Sequence, residues 1–73
     1  MKKSFAMQDL DCANCAAKME AAIKKLEGVT DCSVNFFAQK MILDADDTRF
    51  DEILAKAAAA IKRVDPDCRL IVK

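Results

Sequence analysis

Seventy-three residues, 53% hydrophobic and 33% charged, are enough for one small core, with too much apolar content for disorder and no room for a second core. Twelve basic and twelve acidic side chains cancel, so no net field favours nucleic acid or an anionic membrane. The lack of histidine excludes His-based triads and His-ligated metals, and the longest apolar run, residues 57–61, falls far short of the roughly 20 residues of a membrane span.

Lys2 and Lys3 open the chain as a signal peptide would, but Asp9 and Asp11 leave no apolar stretch behind them, so a cytosolic location is expected. Ser4 to Leu10 alternates as a short strand with an irregular end, with Phe5, Met7 and Asp9 on one side. From Ala13 to Glu27 the apolar positions Ala16, Met19, Ile23 and Leu26 recur at helical spacing, opposite Lys18, Lys24, Lys25 and Glu27. Gly28 is the expected stop.

Val29 to Phe36 alternates again, with Cys32, Val34 and Phe36 on one face, and Lys40 to Asp44 follows after a short turn. Asp46-Asp47-Thr48 supplies side-chain oxygens for the start of a second helix, whose apolar stripe is Phe50, Ile53, Leu54, Ala57, Ile61 and Val64. Asp65-Pro66-Asp67 breaks it, and Cys68 to Val72 reads as a last strand. Strand-helix-strand-strand-helix-strand predicts an α+β, ferredoxin-like βαββαβ sandwich: a four-stranded antiparallel sheet with both helices on one face.

The chemistry concentrates in Asp11-Cys12-Ala13-Asn14-Cys15-Ala16, at the exit of the first strand. Two residues between the cysteines let both sulfurs converge on one ion, at about 2.3 Å for zinc. Unpaired N–H groups of the helix start favour the thiolates. Asp11 bears on which ion is held. Two thiolates and a carboxylate around a divalent ion leave a charge of −1, whereas the same set around cuprous ion leaves −2 and adds a hard ligand to a soft cation. The set therefore favours Zn²⁺, Cd²⁺ or Pb²⁺ over Cu⁺, with Asp11, Cys12 and Cys15 as ligands of one exchangeable ion. The fourth position falls to water or a partner's ligand.

Asp11-Cys12-Ala13-Asn14-Cys15-Ala16, Gly28-Val29 and Val34-Asn35-Phe36 resemble the metal loop, helix stop and second strand of a heavy-metal-associated domain, and the likeness runs over essentially the whole chain. The chain is most similar to the N-terminal metal-binding domain of a zinc- or cadmium-transporting P-type ATPase. That resemblance implies that the matching cysteines bind the ion and that an aspartate before the first marks divalent-metal members. It also implies that residues 1–73 are a single domain of a longer transporter at the cytoplasmic face of the membrane, not itself an enzyme. The implied partners are the metal ion and the parent's membrane and other cytosolic domains. No nucleic acid, no membrane insertion and a monomeric state are expected. Asp9-Leu10 stands where the family usually has Gly-Met, and Asp65-Pro66 where copper members commonly have Gly-Tyr.

Alternatives from other classes are a copper(I) or mercury carrier domain and a thiol-disulfide exchange module. Asp11 is equally well placed to cap the helix. Cys32 and Cys68 are expected to pack inward, Cys68 with a second reading as a further ligand. Met7, Met19 and Met41 fit core stripes, and Phe36 and Phe37 are expected as packing and turn cover. Asp44, Asp46 and Asp47 read as a solvated turn and helix start rather than a calcium site.

Overall fold

The computed structural model describes residues 1–10 and 12–71. Its elements are β1 (Lys2–Gln8), α1 (Ala13–Lys24), β2 (Val29–Asn35), β3 (Lys40–Ala45), α2 (Phe50–Val64) and β4 (Arg69–Ile71). A 3-10 turn, Asp47–Arg49, leads into α2. The strands pair antiparallel in the order β2-β3-β1-β4, the ferredoxin-like sheet that the alternation predicts.

Period-two patterning sets which face is covered. Phe5 and Met7 of β1, Cys32 of β2, and Met41, Leu43 and Ala45 of β3 are buried. The register aligns Cys32 with Leu43 and Leu43 with Lys3, and Val34 with Met41 and Met41 with Phe5, so these rows lie on one side of the sheet. Against them α1 packs Ala16, Met19 and Ile23, and α2 packs Phe50, Ile53, Ala57 and Ile61. Phe5 and Phe50 stack with ring centroids 6.3 Å apart, joining sheet to helix. Edge strand β2 receives some cover from α1, because the Val34 N–H donates to Glu20 Oε1 at 3.2 Å.

The observed boundaries depart from the expected ones for local reasons. β1 begins at Lys2, because the terminal ammonium donates to the Ala45 carbonyl at 2.8 Å and Met1 O accepts from Ala45 N–H. α1 proper ends at Lys24. Lys25 and Leu26 then donate to carbonyls three residues back, tightening the last turn before Gly28 at φ 93°. Asp46 caps the 3-10 turn through Thr48, so α2 itself starts only at Phe50. Asp9 does not continue the inward face of β1. It is exposed and has φ 62°, which turns the chain out of the strand. Phe37 corrects the expectation of turn cover: it is 92% exposed and touches Phe36 edge-to-face, with centroids 5.3 Å apart. The last strand is described over Arg69–Ile71, and the expected Val72 lies outside the described residues.

Candidate metal site

The β1–α1 loop, the β2–β3 turn and the α2–β4 connection meet at one end of the sheet, as the up-and-down order requires. Cys12 has extended backbone (φ −131°, ψ 120°) and is the N-cap of α1. Its sulfur accepts the Cys15 N–H at 3.3 Å, taking the place that an oxygen fills at most helix starts. Cys15 follows in the first turn, and both cysteines are half-buried.

This geometry makes the two thiols unequal. The Cys15 backbone N–H, followed by the Cys15 thiol, donates to Cys12 and holds it below the ordinary thiol value; the Asn14 N–H and the Lys18 ammonium help. Cys15 moves the other way. Its proton is held by the hydrogen bond to Cys12, with partial burial and the charges of Cys12 and Asp65 adding to the effect. The pair therefore holds one proton more loosely than the other, with the weaker acid on the helix side.

Asp11, the third expected ligand, lies outside the described residues. Among the described residues no group of three or more Cys, Asp or Glu side chains is arranged to hold a metal ion. Cys32 and Cys68 are both buried in the core, at 2% and 0% exposure. For Cys32, burial pushes the thiol up to about 11. Cys68 is packed inward, as its first reading had it.

Two residues matter here that the chain order did not flag. Asp65, read as a helix breaker, comes close enough for its charge to act on Cys15. Gln39, with φ 53°, reaches back across the fold: its Oε1 accepts from Leu10 N–H at 3.1 Å and its Nε2 donates to Leu10 O at 2.5 Å. Neither contact has a sequence signature, since each joins groups far apart in the chain. Leu10 itself is 1% exposed and plugs the core beneath the loop.

Residues 4–64 match the family model of the heavy-metal-associated domain. Over 66 residues, 90% of this chain, the sequence is 33% identical to a cadmium, zinc and cobalt-transporting ATPase of Bacillus subtilis (strain 168). The chain spans less than a tenth of the length of the curated relatives it matches, 9% in that case. The solution structure of the N-terminal domain of ZntA in its Zn(II) form superposes with a TM-score of 0.74 at 31% identity, covering 96% of this chain and 88% of that one. A CopZ metallochaperone has the same fold, with a TM-score of 0.77 at 20% identity over 97% of this chain and all of the other. Among the described residues no helix is long and apolar enough to cross a membrane.

Proposed function

Since this chain belongs to the heavy-metal-associated domain family, a small metal-binding module that is not itself catalytic, we propose that it binds one divalent soft ion, Zn²⁺, Cd²⁺ or Pb²⁺, through Cys12, Cys15 and Asp11. The ion is cargo, taken from small thiols or solvent and passed by ligand exchange to a transport site. In this reading residues 1–73 form one metal-binding domain of a longer heavy-metal P-type ATPase, on the cytoplasmic side and monomeric. Its partners are the parent's other domains.

The supporting observation is the anchored Cys12 sulfur beside Cys15 at the start of α1, with an aspartate next to it in sequence. Cys12, the stronger acid, engages the ion first. Once the ion draws on the Cys12 sulfur, Cys15 loses the acceptor that holds its proton, and its thiolate follows. Two thiolates and one carboxylate leave a position open, so an incoming donor can add before an outgoing one leaves. The fold is shared with the N-terminal domain of the copper(I) ATPase PacS and does not itself distinguish the ions. The aspartate supplies the preference, by charge and by hardness.

The test is competition titration of wild type, Asp11→Ala and Cys12→Ala with Zn²⁺, Cd²⁺ and Cu⁺ under reducing conditions. Asp11→Ala is expected to weaken Zn²⁺ while sparing or strengthening Cu⁺, and Cys12→Ala to weaken all three. Equal losses of both ions in Asp11→Ala contradict the role given to the carboxylate.

A further inference from the structure

We infer that Glu20 and Asp31 keep this chain a monomer: their carboxylates occupy the outward N–H groups of β2 and close a sheet edge that would otherwise pair with β2 of a second copy. The inference rests on the reading of the chain as a monomer.

In the order β2-β3-β1-β4, β2 is an outer strand, flanked in the sheet by β3. An antiparallel ladder uses the N–H and C=O of alternate residues, and the residues between turn theirs away from the neighbour. In the regular part of β2, past the irregularity between Val29 and Asp31, Cys32 and Val34 are the outward residues. An outer row of donors and acceptors is a template for a further strand. Here both donors are taken by the chain's own acids. The Cys32 N–H donates to Asp31 Oδ1 at 2.9 Å, and the Val34 N–H donates to Glu20 Oε1 at 3.2 Å. One cap comes from β2 itself and the other from α1. At these two residues an incoming strand meets carbonyl oxygens alone, beside two carboxylates whose charge repels its own carbonyls.

A second copy is the strand that fits this edge. Turned about a two-fold axis at Ser33, β2 sets Cys32 of each copy opposite Val34 of the other, an isologous pairing. Each copy then supplies the outward N–H and C=O of both residues, so donors and acceptors match in number. The register also keeps the faces in order. Buried Cys32 and half-buried Val34 of both copies fall on the helix-covered side, and exposed Asp31, Ser33 and Asn35 on the other. The backbone thus permits the pairing, and the two side chains oppose it. For the strands to meet, Asp31 and Glu20 must give up the hydrogen bonds that they make.

The 73-residue chain, metal-free and reduced so that neither an ion nor a disulfide joins two copies, is compared as wild type, Glu20→Ala/Asp31→Ala and Glu20→Gln/Asp31→Asn. Sedimentation equilibrium and amide NMR are run from micromolar to millimolar protein. The alanine pair is expected to self-associate at least about tenfold more tightly than wild type. Its concentration-dependent amide shifts and exchange protection should centre on Cys32 and Val34. The Gln/Asn pair keeps both acceptor oxygens and should stay within about twofold of wild type. Val34→Pro added to the alanine pair removes one outward N–H and should reverse the association. A folded alanine pair that stays monomeric at millimolar concentration, or that associates through amides outside β2, overturns this inference and leaves the monomeric reading standing. So does a Gln/Asn pair that associates as tightly as the alanine pair, since charge and not capping would then keep the copies apart. A dimeric wild type overturns the monomeric reading and this inference with it. If the alanine pair does not fold, Glu20→Ala alone, a favourable change within a helix, carries the comparison.

Discussion

The Cys12 sulfur and the Cys15 N–H, 3.3 Å apart, form a helix cap made by a thiol, and it sets the order in which the two cysteines ionise. The cap satisfies one of the free N–H groups of α1 only while Cys12 keeps a lone pair directed at it.

That order is measurable without metal. In iodoacetamide labelling followed by mass spectrometry, Cys12 is expected to react first, with a half-maximal rate below the ordinary thiol pH, and Cys15 later and at higher pH. In Cys15→Ala the backbone N–H remains and the thiol donor is lost, so Cys12 should shift only part of the way back. Cys32, pushed up to about 11 by burial, and buried Cys68 should label only after unfolding. Simultaneous labelling of Cys12 and Cys15 at every pH contradicts the assignment.

Gly28 and Ile53 are matched in shape. At φ 93°, a Cβ added to Gly28 would stand 2.6 Å from Ile53 Cδ1. Gly28→Ala should cost about 1–3 kcal/mol from the backbone alone, with the contact adding to it. Ile53→Val deletes the opposing methyl and should cost about 0.5–1.5 kcal/mol by itself. The double variant should lose less than the two singles combined, as read by urea unfolding. Strict additivity would mean that the contact is relieved by rotation of the Ile53 side chain.

Asp46 is held below the usual carboxylate range by the Thr48 N–H, then by the Thr48 hydroxyl, at 3.1 and 3.0 Å. A depressed folded pKa gives stability that is present above the unfolded carboxyl value and lost as pH falls through the folded one. Wild type should therefore be more stable than Asp46→Ala at neutral pH, and the gap should narrow in acid, below the ordinary carboxylate range. Thermal unfolding from neutral to acid pH checks this; a gap that widens in acid has the wrong sign.

Leu10 and Phe37 lie at the same end of the fold and should respond oppositely to truncation. Leu10, 1% exposed, should lose about 2–5 kcal/mol as Leu10→Ala. Phe37, 92% exposed, should change by no more than about 0.5 kcal/mol as Phe37→Ser. A large loss for Phe37→Ser in denaturant melts would show that the ring packs in solution.

Much of the molecule could be read from the order of its residues. Alternation in Phe5-Ala6-Met7 and Met41-Ile42-Leu43 marks the covered face of the sheet, and Ala16, Met19 and Ile23 mark the buried side of α1. Cys12 and Cys15 stand out because two thiols at a helix start are a local pattern. These features repeat over a few residues, and backbone geometry converts that repeat directly into a direction in space. Local reading was weakest at the ends of elements. There Asp9 turns away with a positive φ, the start of α2 is delayed by a 3-10 turn, and Phe37 projects from the hairpin.

What the chain order could not announce is how the cysteine loop is held and biased. Gln39 looks like an ordinary turn residue until folding brings its carboxamide to the peptide groups of Leu10, and Asp65 looks like a helix stop until its charge is felt at Cys15. Both effects join groups far apart in sequence. No periodicity records such a contact, because only closure of the sheet brings the β2–β3 turn and the α2–β4 connection to the same end as the cysteines.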